Sequence, residues 1–306
     1  ATEVPLMRPL IAILALAVIM IVSLRAFSRH PSLTGTITKS RPAFRASVLR
    51  RGLSAGARTK DTRVSIHPYF NVKEGKMDDF KATFGDFYTC VDKETNCFYY
   101  GFSVNEEEGV IYNRECYDSA EGLKKHIDNT AAVAGPVGDL CHDVKLEIHG
   151  PAEELKKLED LAKDINAKMF VLDENGFTNN NMKPGKDTAV SIHPYFKVPA
   201  DKWDQFVGAF EKYYEAVKNE PNNHHYAFST NKEEGIVFNR EQYDSAEGLL
   251  AHIENTAPVN EVTAGLFDSV DLEIHGPASE LEKLKDFAAE SGSKLFVLDE
   301  NARCYK

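Results

Sequence analysis

A chain of 306 residues has room for about two domains of ordinary size, each able to bury a modest core. Its net charge of −11 hides an asymmetry, because residues 1–63 carry 11 Lys/Arg against Glu3 and Asp61, a net of +9 that leaves −20 for residues 64–306. So acidic a body repels phosphate backbones and argues against nucleic acid as a partner, while five cysteines, odd in number and without a CxxC, suit a reduced compartment better than a disulfide framework.

Residues 1–63 read as a targeting segment to be removed and are set apart from the fold. Leu10–Val22 is an unbroken apolar run of 13 residues behind Arg8, short for a membrane span of about 20 and suited to the core of a signal peptide. Ser23–Ala26 offers a cleavage site, with Phe27 next. From Arg25 to Arg63 there are ten Lys/Arg and one acid, Asp61, the composition of an organelle transit peptide. A signal peptide followed by a transit peptide with Phe at the junction resembles the bipartite presequence of plastid proteins in algae with complex plastids. That resemblance implies the stroma of such a plastid. An uncleaved membrane anchor, a mitochondrial route and secretion remain open, and the segment is the only part expected to meet a membrane.

The rest of the chain says one thing twice. Val64–Asn175 recurs as Val190–Asn301 at a constant offset of 126, with 61 of 112 positions identical, so each copy is one structural unit. Residues 176–189 are a polar Gly/Pro/Asn linker, and 302–306 form a short tail.

In the first copy, Val64–Phe70 alternates as a strand, with Val64, Ile66 and Phe70 on one face and Ser65, His67 and Tyr69 on the other. Met77, Phe80, Phe84, Phe87 and Val91 carry the spacing of one core-facing helix. Phe98–Val104 and Val110–Tyr117 are strands joined by a hairpin connection ending in Gly109. Asp118, with Glu121 three residues on, starts a second helix that turns Ala120, Leu123 and Ile127 inward. Asp143–His149 is a strand, Gly150-Pro151 breaks it, a third helix carries Leu155, Leu158, Leu161 and Ile165, and Met169–Leu172 closes the unit.

The order β-α-β-β-α-β followed by α-β is an α+β, ferredoxin-like arrangement. An antiparallel sheet with helices on one face leaves the other face bare. Two copies in one chain cover each other's bare faces, which predicts tandem ferredoxin-like repeats packed as an intramolecular barrel. A pseudo-two-fold monomer follows.

With these elements in place, the chain resembles the antibiotic-biosynthesis-monooxygenase (ABM) type of domain in the dimeric α/β-barrel superfamily. The likeness rests on the opening strand with its Phe, on Glu115-x-Tyr117-x-Ser-x-Glu-x-Leu123-x-x-His126 with its copy Glu241 to His252, and on the strand ending His-Gly-Pro. It implies a small aromatic ligand between helices and sheet. For family oxygenases it implies no cofactor, because a deprotonated phenol or quinol itself gives an electron to O2. The protein then supplies a base or hydrogen-bond donors for the phenolate.

Groups present in both copies are the candidates. His126 and His252, matching the family's helix histidine, are the catalytic choice for proton transfer, with a tie to Glu115 or Glu241 as the structural alternative. His67, His193, Asn113, Asn239, Arg114, Arg240, Tyr117, Tyr243, His149 and His275 are the candidate substrate contacts. Arg114 and Glu115 point to opposite faces of one strand, so only one of them lines a given pocket, and an Arg114–Glu147 cross-strand pair inside the barrel is the alternative for Arg114. His67 and His149 are expected to meet between the sheets. No His-x-x-x-His pattern occurs, and no metal is expected.

Two features depart from the family. The sole tryptophan, Trp203, lies on a helix, and the Asn/Trp/Arg strand constellation of family oxygenases and haem degraders is incomplete. Cys97-Phe98-Tyr99-Tyr100 stands where the second copy has Asn223-His224-His225-Tyr226, either a difference in specificity or a surface His pair. Three functions stay open: an oxygenase of a phenolic or quinol compound, a barrel that binds an aromatic or tetrapyrrole ligand without catalysis, and an interaction protein.

Overall fold

The computed structural model describes residues 58–306. The signal-peptide expectation and most of the transit segment fall on residues 1–57 and lie outside the described residues. Among the described residues, no helix is long and apolar enough to cross a membrane.

Each repeat contributes five strands. The first supplies β1 Val64–Val72, β2 Cys97–Asn105, β3 Val110–Tyr117, β4 Cys141–Gly150 and β5 Lys168–Leu172. The second supplies β6 Val190–Lys197, β7 Asn223–Asn231, β8 Ile236–Tyr243, β9 Ser269–Gly276 and β10 Lys294–Leu298. They run β7-β8-β6-β9-β10-β2-β3-β1-β4-β5, and β5 returns to β7. The result is a closed barrel of ten strands. The two seams are related by the 126-residue offset: Ser229 opposes Leu172 at one, Leu298 opposes Ser103 at the other. Closure leaves neither repeat with an open edge between its end strands and its partner.

The expected α+β barrel is thus observed, with one correction. The sheets are mixed, since β4 with β5 and β9 with β10 pair in parallel. A helical connection between the strands of each pair is what lets them run the same way.

Helices cover the outside. In the first repeat they are α1 Met77–Lys81, α2 Phe84–Val91, α3 Ala120–Val137, α4 Ala152–Lys156 and α5 Glu159–Asp164. In the second they are α6 Trp203–Gly208, α7 Phe210–Val217, α8 Ala246–Thr263 and α9 Ala278–Ser291. The stripe Met77–Val91 was expected as one helix and is two, parted where the Thr83 hydroxyl donates to the Phe80 carbonyl at 2.7 Å. Ser119, rather than Asp118, caps α3 by accepting from the Gly122 N–H at 3.1 Å, while Asp118 accepts from Asn96. The expected third helix is divided into α4 and α5 in the first repeat and is continuous as α9 in the second.

Apolar strand residues face these helices. Phe80, Phe84 and Phe87 close on Phe102, with Phe84 stacked on it at 4.1 Å; Phe210 and Tyr213 do the same around Phe228, and Phe206 packs on Phe210 and Phe267. Trp203 belongs to that second core. The alternate strand residues fill the barrel interior, where polar side chains pack with Tyr112, Phe170, Phe238 and Phe296.

The folded body starts before Val64. Thr59–Lys60 pairs with Phe177–Thr178, and Gly185–Lys186 pairs with Arg303–Cys304, so the expected leader boundary and both supposed connecting segments carry structure. Asp61, Arg63 and Asp187 are buried. The five cysteines are free, four of them buried.

Candidate functional site

Successive residues of a strand face opposite ways, and Asn239-Arg240-Glu241 on β8 separates two environments. Asn239 and Glu241 face α8; Arg240 enters the barrel.

On the helix side, Glu241 gathers three partners. Its Oε1 accepts from Asn239 Nδ2 at 2.9 Å, its Oε2 accepts from the Tyr243 hydroxyl, and His252 Nε2 stands 3.1 Å from that same oxygen. The other ring nitrogen, Nδ1, lies 3.1 Å from Glu220, which Asn255 also holds at 2.7 Å. The first repeat reproduces this with Asn113, Glu115, Tyr117, His126, Glu94 and Asn129. The structural alternative for the helix histidine is therefore observed in both copies, and it places His126 and His252 against the expected carboxylates.

An imidazole between two carboxylates is stabilised with both nitrogens protonated. Burial depresses His252, but Glu241 and Glu220 outweigh it and the net shift is upward; His126 follows the same pattern with Glu115 and Glu94. Burial raises Glu241 to about 7 against the opposing pull of His252, Tyr243 and Asn239, and Glu115 also rises to about 7. The chemistry available is a buried carboxyl that changes charge near neutrality, beside an imidazole whose protonated form its carboxylate neighbours favour.

A pocket opens onto this group in the second repeat. Its free space, mouth included, is about 670 Å³, walled by Ile192, Phe228, Phe267, Leu272 and Phe287, with Asn239, Glu241 and His252 among its lining. The Asn239 Oδ1 is buried and without a hydrogen-bond partner. Farther along α8, the Tyr213 hydroxyl donates to Asn260 Oδ1 at 2.8 Å and lies 2.8 Å from Thr263 Oγ1. His252 and Thr263 are 11 residues apart, about 16 Å along a helix axis. The pocket thus has an apolar body and a polar group toward each end. The first repeat has Phe87, Ala134 and Val137 where the second has Tyr213, Asn260 and Thr263.

The remaining candidates lie inside the barrel. His149, His67, His193 and His275 form a stacked row, with ring centroids 4.1, 6.2 and 4.3 Å apart. Burial holds all four below the ordinary histidine range, so they are neutral. His149 Nδ1 meets Ser229 Oγ at 2.7 Å and His275 Nδ1 meets Ser103 Oγ at 2.7 Å, each bond crossing between repeats. Toward one end of the interior, Tyr69 donates to Glu273 at 2.7 Å and Tyr195 to Glu147 at 2.9 Å.

At the other end, Arg114 binds Asp187 at 2.6 Å and Arg240 binds Asp61 at 2.8 Å. The expected Arg114–Glu147 pair is corrected, since the linker residue Asp187 takes that place. His225 is buried near Arg240 rather than on the surface, and His224 bonds Asn181 at 2.6 Å.

Two groups have the composition of a cation site, His67 with Glu147 and His149, and His193 with Glu273 and His275, each with ligand atoms within 4.8 Å. Sequence spacing missed them because a cross-strand pair, His67 opposite Glu147, brings them together. The two rings of the first group are stacked at an interplanar angle of 26°, and those of the second are tilted by 30°. Lone pairs in such planes do not converge at the roughly 2 Å that a shared ion requires.

The model of the family described as Antibiotic biosynthesis monooxygenase matches residues 189–257, which hold β6 to most of α8 and therefore Glu241 and His252. A candidate monooxygenase from Fusobacterium nucleatum subsp. nucleatum is similar in structure, with a TM-score of 0.52 at 11% identity, covering 69% of this chain and 90% of that one. The chain folds as an ABM-like barrel. A candidate monooxygenase from Lactobacillus acidophilus NCFM aligns at a TM-score of 0.49 and 14% identity, covering 69% of this chain and 92% of that one. MupZ from Pseudomonas fluorescens aligns over 37% of this chain and 92% of its own, at 34% identity and a TM-score of 0.35. No curated protein matches the chain.

Proposed function

We propose that this ABM-like barrel is a cofactor-independent oxygenase of a phenolic or quinol-type molecule, with its working pocket in the second repeat. Both repeats are read as ABM-type units, one kept open and one specialised as the other half of the barrel. The observation that carries this reading is Glu241, a carboxyl raised to about 7 that lines an apolar pocket beside the unpartnered Asn239 Oδ1. A base with a pKa near working pH is effective in proton transfer.

In this reading the substrate hydroxyl lies against Glu241 and Asn239. Glu241 takes its proton, and the cationic His252 offsets the charge of the phenolate. His252 is then an electrostatic partner rather than the base, since both its nitrogens face carboxylates. The phenolate passes an electron to O2; overall, a phenol and O2 give a quinone and water, so the substrate is the only reductant. Tyr213, Asn260 and Thr263 bind a second polar group on the substrate. Phe87, Ala134 and Val137, apolar where the second repeat has Tyr213, Asn260 and Thr263, favour a structural role for the first repeat. A plastid is the proposed location, on the composition of residues 1–63.

Oxygen uptake with a panel of quinols and polyphenols tests the proposal. Glu241→Gln is expected to lower kcat at least about 100-fold, the range for loss of a general base, while Glu115→Gln changes it little. Turnover unaffected by Glu241→Gln refutes the assignment.

A further inference from the structure

Buried polar atoms without partners are rare, and each needs a physical reason. Ten side-chain atoms among the described residues are in that state, and seven of them belong to residues that line a single chamber inside the barrel. They are the Nε atoms of Arg114 and Arg240, the Nδ1 atoms of His67, His193 and His225, and both amide atoms of Gln242. The space left between these groups is of the size of one small occupant.

Charge indicates what that occupant is. Three guanidinium groups, Arg63, Arg114 and Arg240, are in contact with only two carboxylates, Asp61 and Asp187, and all five residues are buried. One positive charge is left over. Glu115 and Glu241 also border the chamber, but their carboxylates are held at the outer face of the strands by His126 and His252. Glu147 and Glu273 belong to the tyrosine end; Ser65, which contacts Arg240, and Tyr69, which contacts Glu273, are four residues apart on one strand, about 13 Å. A buried charge is tolerated when it is paired. Water would accept the Nε–H bonds without neutralising the excess.

We propose that the chamber is a binding site for one small monovalent inorganic anion of the halide class, held between the Nε–H groups of Arg114 and Arg240. Gln242 supplies an amide donor from the second repeat, where the first repeat has Cys116. The anion ties the repeats together, because Arg114 and Arg240 come from different copies.

Bromide is the probe. The chain is crystallised in sodium bromide and measured at the bromine absorption edge, and its Tm is followed as bromide replaces gluconate at constant ionic strength. An anomalous peak between the two arginines is expected, with Tm rising about 5 °C or more at a hundredfold excess over Kd. Gln242→Glu puts a carboxylate of the same shape into the chamber and should abolish both the peak and the bromide dependence. If that variant does not fold, Gln242→Leu, which removes the donor and no charge, should bind bromide at least tenfold more weakly. A chamber holding only ordered water, without anomalous signal in sodium bromide, overturns the proposal. So does a bromide dependence unchanged in the variant.

Discussion

Replacing Asp61 by alanine tests the least expected part of this structure, the packing of residues 58–63 into the barrel. The Asp61 side chain is fully buried and accepts bonds from Arg63 Nε and Nη2, both at 2.8 Å, from the Arg63 N–H at 3.1 Å and from Arg240 Nη2 at 2.8 Å. Asp61→Ala therefore leaves two buried guanidinium groups without their carboxylate. Removing one partner of a buried ion pair costs about 3–5 kcal/mol. Against a total stability of about 5–15 kcal/mol, that is a fifth or more of the whole. Urea denaturation should show a lower midpoint at an unchanged m value, since the surface exposed on unfolding stays the same. Asp187→Ala strands only Arg114, which keeps bonds to Ser191 and to the Ala189 carbonyl, and should lose less.

The same carboxylate makes a pH prediction. Burial opposes its ionisation, but Arg240 and Arg63 outweigh burial and hold it well below the usual range. A folded pKa below the unfolded value of about 3.9 gives stability that is complete above that value and lost as pH falls beneath it. Asp61→Ala should remove this part of the acid transition. An Asp61→Ala protein within about 1 kcal/mol of the parent, with the same acid transition, refutes the packing of residues 58–63 and the ion cluster with it.

Three further outcomes are expected. A Cβ on Gly101 would stand 2.4 Å from the Ala302 Cβ, so Gly101→Ala should destabilise by about 1–3 kcal/mol, and adding Ala302→Gly should recover most of it in the same melt. If Glu241 is the base, kcat/KM for a quinol should rise with pH through about 7, where its carboxylate forms; a rate flat between pH 5 and 9 counts against it. Light scattering on the chain should give the monomer mass, because each repeat already occupies the seams of the other, and a stable dimer mass contradicts that.

Much of this protein is written in its sequence. The 126-residue repeat, the strand alternation in VSIHPYF and LEIHG, and the aromatic stripes at 3–4 spacing fix two similar α+β units and the faces they bury. Periodicity achieves this because burial of one face is a local property of each strand or helix. Even the ion cluster left a trace, since Lys60-Asp61-Thr62 recurs as Lys186-Asp187-Thr188 ahead of the repeat taken to begin at Val64.

What pairs with what was decided only in three dimensions. Arg114 was as compatible with Glu147, its near neighbour across the sheet, as with Asp187, and barrel closure chose the latter. The histidines that seemed equivalent divide into two environments, because His126 and His252 stand between carboxylates on helices outside the barrel, whereas strand pleat turns the other four inward, neutral and ring against ring. Glu241 rises to about 7 for the same kind of reason. Its spacing from His252 on the chain sets no charge state; exclusion of water by the helix packed over β8 does.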